Sequence, residues 1–225
     1  MIVYGKQIFF YILDKHPELI KKVIFSKKVD EKIFKRVQKL GKEILNIDNK
    51  KAQSLCHGGN HQGFLLEIEE YSFYDLNDVK DKNFIVVLYG VTDVGNIGSI
   101  VRSAYALGAD ALVISNIKNI KMEGIIRVSS GAALDLPIIK YFNIYDLINE
   151  LKMNGFEISV ASLNGVDVRK VSFNKKRVLI LGSEGEGIPL RLEQKSDKKI
   201  KIVMEREFDS LNVSAAAAIL IDRMR

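Results

Sequence analysis

The chain has 225 residues, of which 47% are hydrophobic and 28% are charged, with one cysteine and no tryptophan. This length allows one large domain or two small ones, each with a buried core. A single cysteine excludes a disulfide framework and a four-cysteine zinc site and fits a reducing compartment, so we expect a cytoplasmic protein. No apolar run reaches the roughly 18 residues that span a bilayer, and the first residues lack the features of a secretory signal. We therefore expect neither membrane insertion nor secretion.

The net charge of +6 is distributed unevenly along the chain. Residues 1–51 hold 13 basic and 6 acidic side chains, residues 52–82 hold 2 and 6, and the remainder holds 19 and 16. A clustered basic surface attracts polyanions such as nucleic acid or phospholipid head groups. A solvated lysine-rich helix face would give the same count, so charge alone leaves both interpretations open.

The first 70 residues are predicted to form a small α/β unit. The spacing of apolar residues favours two helices and three strands, interrupted by the polar stretch CHGGNHQ, whose paired glycines indicate a loop or tight turn. The helices are expected over residues 7–13 and 30–40, and the strands over 22–25, 43–47 and 63–68.

Residues 71–82 are polar, acidic and without periodicity, and they predict a linker to a second domain over residues 83–225. Short apolar runs alternate there with helical patterns, which is typical of a parallel sheet covered by helices on both faces. The strands are expected at FIVVL, ALVIS, LPIIK, EISVAS, RVLILG and IKIVM, and the helices at about 98–107, 145–153 and from 212, with a further segment around 124–130.

Three segments of the second domain could carry chemistry, because each combines polar residues and glycines with the end of a strand and a helix. Ligands of open parallel sheets bind at such positions. The first segment spans residues 90–110, where Asn96 could cap a helix that Gly98 allows to begin tightly and Arg102 could point back toward the helix start. A capping asparagine and a surface arginine would have the same pattern, so this segment alone does not establish a site.

The second segment, LILGSEGEGIP, resembles a nucleotide-binding loop only superficially. Its glycines stand at positions 182, 185 and 187, so no GxGxxG register exists, and no GK[ST] follows. These absences disfavour a Rossmann cofactor site and a P-loop. The loop permits close backbone approach to a ligand, and its carboxylates Glu184 and Glu186 suit a hydroxyl, an amine or a cation better than a phosphate.

The third segment, FDSLNVSAAAAILIDRMR, contains a C-terminal helix that Ser210 or Asn212 could cap. Its run of alanines allows another helix or a ligand to pack closely. A capped terminal helix without any function is the alternative. Elsewhere, Cys56, His57 and His61 form a CHxxxH cluster with no fourth ligand, so we expect no metal site.

Taken together, NIGSIVRSAYALGAD, LILGSEGEGIP and DSLNVSAAAAILI resemble the three ordered motifs of the SpoU (TrmH) family of RNA ribose 2′-O-methyltransferases, within the knotted methyltransferase superfamily. Each motif is weak alone, but the three occur in the right order at compatible spacing over residues 83–225. Residues 1–70, with Gly5-Lys6 and the HQG of residues 61–63, are similar to the L30e-like substrate-binding domain of the ribosomal-RNA branch.

The resemblance implies an α/β fold with a deep trefoil knot, a homodimer, and S-adenosylmethionine as the cofactor. It also implies that the substrate is a ribose 2′-hydroxyl of RNA, namely a guanosine of 23S ribosomal RNA. The implied cofactor-binding residues are Gly182, Ile202 and Leu211. The implied catalytic and RNA-facing residues are Asn96, Arg102, Glu184, Ser210 and Asn212. Relatives usually have proline after the equivalent of Ile202, whereas this chain has Val203.

The implied chemistry needs no metal: a weak hydroxyl nucleophile must be aligned with the methyl donor and its proton drawn off. Arginine resists deprotonation, so Arg102 is expected to bind the phosphate beside the target ribose. The basic front half is expected to bind RNA through Lys21, Lys22, Lys27 and Lys28.

Three alternatives to a 23S ribosomal RNA enzyme remain at this point. A transfer RNA 2′-O-methyltransferase would usually carry helical extensions that this chain lacks. A non-catalytic RNA-binding or ribosome-assembly factor could keep the fold, although the retained Asn96, Arg102, Glu184 and Asn212 argue against it. A nucleotide-dependent oxidoreductase is disfavoured by the missing glycine fingerprint.

Overall fold

The computed structural model describes residues 1–183, 185, 187–207 and 210–225. Its contacts divide the chain into two compact units. The first unit comprises Met1–Ser72 and Lys121–Gly131, and the second comprises Phe73–Ile120 and Ala132–Arg225. Residues 121–131 fall within the second domain by the sequence boundaries given above, whereas the contacts assign them to the first unit. None of the helices in the described ranges is long and apolar enough to cross a membrane.

The first unit is an α/β unit, as the sequence predicts. Its elements up to Ser72 are β1 (Ile2–Tyr4), α1 (Lys6–Lys15), β2 (Ile20–Phe25), α2 (Glu31–Gln38), β3 (Glu43–Asn46), α3 (Asn49–Leu55) and β4 (Phe64–Ile68). The sheet order is β1-β4-β2-β3, with β2 and β3 parallel and the other pairs antiparallel. A short 3-10 helix at Pro17–Leu19 leads into β2.

Aromatic packing fills the core between α1 and this sheet. Phe9 of α1 lies with its ring centroid 5.0 Å from that of Phe64 and 5.7 Å from that of Phe25. All three rings are buried, as are Ile12 and Val23. Burial of an aromatic side chain contributes a large apolar area, and tilted pairs add about 0.5–1.5 kcal/mol beyond that area.

The sequence patterns missed β1 and α3. β1 has only three residues, too few for an alternating pattern. α3 has the sequence NKKAQSL and buries Ala52 alone, so it shows no helical spacing of apolar residues; Asp48 starts it by accepting a hydrogen bond from the backbone N–H of Lys51.

The elements after Ser72 are, in chain order, β5 (Phe84–Tyr89), α4 (Val94–Ala106), β6 (Ala111–Ser115), α5 (Met122–Val128), α6 (Ala132–Asp135), β7 (Ile138–Tyr141), α7 (Ile144–Met153), β8 (Glu157–Asp167), β9 (Arg177–Gly182), α8 (Leu190–Lys195), β10 (Lys198–Lys201) and α9 (Val213–Met224). Short 3-10 helices occupy Leu76–Val79 and Val168–Lys170. Helix α5 lies in the first unit, and the other elements form the second.

The second unit is built on a six-stranded sheet in the order β10-β8-β9-β5-β6-β7. Every neighbouring pair is parallel. The central strand β5 has Ile85, Val86, Val87 and Leu88 fully buried, which is what a strand covered on both faces requires. The prediction of a parallel sheet covered by helices is therefore confirmed.

Several element boundaries differ from the predicted ones, and three of these differences lie in or beside the candidate motifs. The predicted strand IKIVM is observed as Lys198–Lys201, so it ends before Ile202. Strand β8 continues beyond the predicted EISVAS to Asp167, and its register against β10 shifts between Lys199 and Ile200. Helix α4 begins at Val94, earlier than expected, because Asp93 is its N-cap.

Candidate functional site

The first two motifs leave the second-unit sheet side by side. Strands β5 and β9 are hydrogen-bonded neighbours, and their last residues, Tyr89 and Gly182, are paired in register. Because the strands are parallel, the segments that follow them leave the sheet at the same carboxyl edge, where ligands of such sheets bind. The topology therefore brings two segments together that lie about ninety residues apart in sequence.

Asp93, rather than Asn96, starts the helix of the first motif. The Asp93 side chain accepts a hydrogen bond from the backbone N–H of Asn96 at 2.7 Å. The expectation that Asn96 caps this helix is therefore wrong: Asn96 lies one turn inside it and keeps its side chain for another partner. Aspartate is among the preferred N-cap residues, and this preference is the signal that could have identified Asp93.

Asn212 of the third motif is the N-cap of α9, as one of the two sequence alternatives proposed. Its Oδ1 accepts from the backbone N–H of Ser214 at 2.9 Å and from the Ser214 hydroxyl at 2.5 Å. Helix α9 then packs against both α4 and β9. This packing carries the third motif to the edge where the other two begin.

A side-chain hydrogen bond joins the first motif to the third. Asn212 Nδ2 donates to Asn96 Oδ1 at 3.0 Å, across a sequence separation of 116 residues. Both amides are thereby oriented, since each uses its oxygen as an acceptor and Asn212 uses its nitrogen as a donor. Two of the five residues with an implied catalytic or RNA-facing role are thus in direct contact.

Arg102 lies on the same helix as Asn96 but is not joined to it. The side chain is exposed, and six residues of α-helix place it roughly 9 Å further along the axis. In the described part of the chain, no hydrogen bond or ion pair links Arg102 to Asn96 or Asn212. An exposed guanidinium at this position is available to a charged ligand from solution.

The second motif begins with a close-packed glycine. A Cβ atom on Gly182 would collide with the backbone carbonyl of Gly187, and the backbone N–H of Gly187 donates to the carbonyl oxygen of Ser183 at 2.9 Å. The turn thus folds back on the end of β9, and no residue larger than glycine fits at 182 without a shift of the backbone. Glu184, implied to be catalytic, lies outside the described residues, as does Glu186.

The remaining residues with an implied role lie beyond strand or helix ends. Ile202 directly follows β10, and Leu211 directly precedes the Asn212 cap; both side chains are half-buried. Ser210 is exposed. The backbone of Gly182 can bond to polar groups of a cofactor, and the two aliphatic side chains can contact an apolar aromatic face. S-adenosylmethionine has both features, so the residues present fit this cofactor.

The four lysines implied to bind RNA are in different environments. Lys21 Nζ lies 2.7 Å from Glu69, which raises the pKa of Lys21 by hydrogen bonding. Lys22 Nζ lies 3.4 Å from Glu43 and 3.7 Å from Glu67. The ammonium of Lys27 instead lies 5.2 Å from the centroid of the Phe64 ring, and Lys28 is exposed.

The cysteine–histidine cluster does not resemble a metal site. Cys56 is buried, and burial raises its pKa to about 11, so the thiol stays protonated at neutral pH. His61 is buried as well, with Nδ1 accepting the backbone N–H of Gly63 at 3.1 Å. Among the described residues, no group of three or more metal-ligating side chains is found.

Two family models match the chain. One, described as the SpoU rRNA Methylase family, matches residues 83–222. The other, described as RNA 2′-O ribose methyltransferase substrate binding, matches residues 2–74. Together they cover both halves of the chain in the order that the motif resemblance predicts.

Individual relatives match over nearly the full length. The chain is 28% identical over 231 residues to the 23S rRNA (guanosine-2′-O-)-methyltransferase RlmB of Vibrio vulnificus, covering 97% of this chain and 94% of that protein. It is 29% identical over 222 residues to a putative TrmH family tRNA/rRNA methyltransferase of Staphylococcus aureus, covering 93% and 89%. The crystal structure of an AdoMet-bound rRNA methyltransferase from Sinorhizobium meliloti superposes with a TM-score of 0.82 at 24% identity, covering 99% of this chain and 85% of that one.

These matches confirm the predicted fold class. The second unit is an α/β methyltransferase domain of the knotted type with a mainly parallel sheet, and a small α/β substrate-binding domain precedes it. The assignment of roles to individual residues stays a prediction.

Proposed function

The chain belongs to the SpoU rRNA methylase family and is an S-adenosylmethionine-dependent RNA methyltransferase, and we propose that it methylates the ribose 2′-hydroxyl of a guanosine in 23S ribosomal RNA. Full-length similarity to a 23S rRNA (guanosine-2′-O-)-methyltransferase supports this substrate. We also propose that the reaction takes place in the cytoplasm.

The observation that carries the proposal is the hydrogen bond between Asn96 and Asn212. It ties the starts of α4 and α9 together, and α9 also packs against β9, the strand that ends at Gly182. The bond thus orients two amides of the first and third motifs within the segment that the methylase family model matches.

Gly182, Ile202 and Leu211 are proposed to hold S-adenosylmethionine. When bound, this cofactor supplies an electrophilic methyl group on a sulfonium. The glycine leaves its backbone polar groups accessible where a side chain would block them. The two half-buried aliphatic side chains provide apolar contact area.

Asn96, Asn212 and Arg102 are proposed to position the RNA. Alignment of two reactants contributes roughly 7–11 kcal/mol to lowering a barrier, and an amide pair that is already oriented loses little entropy when it binds a ribose. Arg102 is proposed to act through its charge: its guanidinium binds the phosphate next to the target ribose and polarises the hydroxyl. Glu184 and Ser210 are proposed to complete the polar surroundings of the ribose.

A homodimer through the knotted domain is proposed as the working assembly. Helices α4 and α9 pack together, and each presents a large apolar side chain to solvent: Tyr105 is 41% exposed and Ile219 is 39% exposed. Exposed apolar side chains on adjacent helices suit a contact with a second copy. Sedimentation analysis of the wild type and of Ile219→Lys tests this, with a dimer expected for the wild type and a weaker association for the variant.

Methylation mapping tests the proposed substrate. Purified protein is incubated with S-adenosylmethionine and either 23S ribosomal RNA or bulk transfer RNA from a strain deleted for the gene, and 2′-O-methylation is mapped at nucleotide resolution. We expect one new 2′-O-methylguanosine in 23S ribosomal RNA. Methylation found in transfer RNA alone would replace this substrate by the transfer RNA alternative. No methylation in either RNA, together with unimpaired cofactor binding, would favour a non-catalytic factor.

A further inference from the structure

A cavity of about 490 Å³, lined mainly by polar residues, lies in the first unit. It opens where the loop between α3 and β4 meets the end of β2 and the exposed face of α3. Among the residues that line it are four side-chain amides, a histidine and a lysine, namely Asn49, Gln53, Asn60, Gln62, His61 and Lys27. A cavity of this volume is large enough for one nucleotide-sized ligand.

The wall of the cavity contains a buried histidine with a fixed tautomer. His61 is 6% exposed, and its Nδ1 accepts the backbone N–H of Gly63 at 3.1 Å while lying 3.2 Å from the Ser26 hydroxyl oxygen. A ring nitrogen that accepts a backbone N–H carries no proton, so the neutral ring is protonated on Nε2. His61 lines the cavity, so its Nε2–H can donate to a ligand there.

The amide of Gln62 is oriented by the protein itself. Its Oε1 accepts the backbone N–H of Lys6 at 3.1 Å, so its nitrogen is left as a donor. Gln62 has φ 53° and Gly63 has φ 84°, a conformation that side-chain-bearing residues rarely adopt. The loop thus holds its shape at a conformational cost, as loops at binding sites often do.

The rim combines neutral amides with one cation. Asn49, Gln53 and Asn60 are exposed and can each donate and accept hydrogen bonds. Lys27 reaches the cavity along Gly63, where a Cβ would collide with the lysine stem. Amides match the donor and acceptor edges of nucleic-acid bases, and a lysine matches a phosphate.

We propose that this cavity binds one unpaired nucleotide of the substrate RNA, with the amides and His61 contacting the edge of the base and Lys27 contacting its phosphate. The proposal rests on the proposed RNA substrate. It adds a second recognition site, formed by residues of the first unit, to the candidate catalytic residues of the second unit. RNA is read mainly at unpaired nucleotides whose bases turn out of the helix. The lining offers polar groups and apolar surface in about equal measure, which suits the polar edges and apolar faces of a base.

Modification interference tests the proposal. In vitro transcribed 23S ribosomal RNA is lightly modified at base edges with dimethyl sulfate, kethoxal or carbodiimide, and the fraction bound by the protein is sequenced against the unbound fraction. The test variant is the double substitution Gln53→Ala with Asn60→Ala, which changes two exposed side chains and should leave the fold intact. The matched control is Gln38→Ala, an exposed glutamine at the end of α2, outside the cavity.

For the wild type and for Gln38→Ala, modification of one unpaired nucleotide away from the methylation position should prevent binding. The double variant should lose this interference at that nucleotide alone and bind unmodified RNA about tenfold more weakly. Its affinity for S-adenosylmethionine, measured by calorimetry, should equal that of the wild type. Lys27→Gln should keep the interference but lower the slope of log affinity against log salt by about one.

The proposal fails if the double variant has the same affinity and the same interference pattern as the wild type. It also fails if the variant weakens the interference equally at every nucleotide. Either result leaves methylation of 23S ribosomal RNA by the wild type intact, and the proposed function with it. If the wild type neither binds nor methylates 23S ribosomal RNA, the proposed function fails and the cavity proposal falls with it.

Discussion

The two units of this chain place their functional groups by different means. In the second unit, parallel strands end at one edge, and the candidate site consists of helix starts and a glycine turn whose positions follow from sheet order. In the first unit, the sheet is mixed, and the cavity is formed by side chains on a loop and a short helix. A site set by topology can be inferred from the order of motifs, whereas a site set by a loop conformation requires coordinates.

The comparison assigns chemistry to the second unit and recognition to the first. If this division is correct, substitutions in the second unit should change methyl transfer or cofactor binding, and substitutions in the first unit should change RNA affinity.

Arg102→Ala should lower methyl transfer by at least about 100-fold, because removal of one group that stabilises developing charge costs roughly 10² to 10³ in rate. Cofactor affinity, measured by calorimetry, should change little, because Arg102 is exposed on α4 and is not among the proposed cofactor contacts. Arg223→Ala removes another exposed arginine, on α9, and should have nearly wild-type activity. Near-wild-type turnover in Arg102→Ala would remove this residue from the mechanism.

Gly182→Ala should weaken S-adenosylmethionine binding about tenfold or more, since the new Cβ collides with the Gly187 backbone and overpacking typically costs about 1–3 kcal/mol. The matched control is Gly185→Ala in the same loop, where no atom of the other described residues lies within 4 Å of the added Cβ. Calorimetric titration of the cofactor should separate the two variants. Equal affinities would exclude a cofactor role for the Gly182 turn.

Asn212 combines a structural role with a positioning role, and two substitutions separate them. Asn212→Ala loses the N-cap of α9 and the bond to Asn96, and should lower the free energy of unfolding by about 1 kcal/mol. Asn212→Asp keeps a capping oxygen but loses the donor to Asn96, so stability should be retained while methyl transfer falls.

Denaturant unfolding and methyl transfer assays measure these two effects. Asn143→Ala is the control, because Asn143 caps α7 in the same manner and has no proposed role in the reaction. It should lose similar stability and keep its activity. If Asn212→Asp is fully active, the contact between Asn96 and Asn212 is structural only.

The lysines of the first unit should contribute unequally to RNA binding. Lys27→Gln with Lys28→Gln should weaken RNA affinity severalfold and lower its salt slope by about one to two. Lys21→Gln with Lys22→Gln should change both less, because these ammonium groups already face Glu69, Glu43 and Glu67. Filter binding across a salt series measures both quantities, and equal slopes for the two pairs would contradict this ranking. Cofactor affinity should not change in either variant.

The sequence predicted the second unit better than the first for a physical reason. The strand ALVIS is buried at every position and apolar at all but Ser115, because it is covered on both faces, and it was placed correctly to the residue. α3 and β1 carry no such pattern: α3 buries a single alanine, and β1 is three residues long. Their positions depend on contacts with distant parts of the chain.

The candidate site was predicted in part. The motif order identified Asn96 and Asn212, which the structure joins by a hydrogen bond. The roles inside each motif were less predictable, because both aspartate and asparagine can cap a helix, and the cap fell on Asp93. The amides of the first-unit cavity were not identified, since Asn49, Gln53 and Asn60 have no common periodicity and converge only through the loop.

The bond between Asn96 and Asn212 also orders events during refolding of the protein. Asn212 follows Asn96 by 116 residues and stands at the start of the last described helix. A refolding chain in which α9 has not docked lacks this contact even when its strands are paired. Recovery of methyl transfer during refolding should therefore follow the docking of α9 rather than the formation of the sheet.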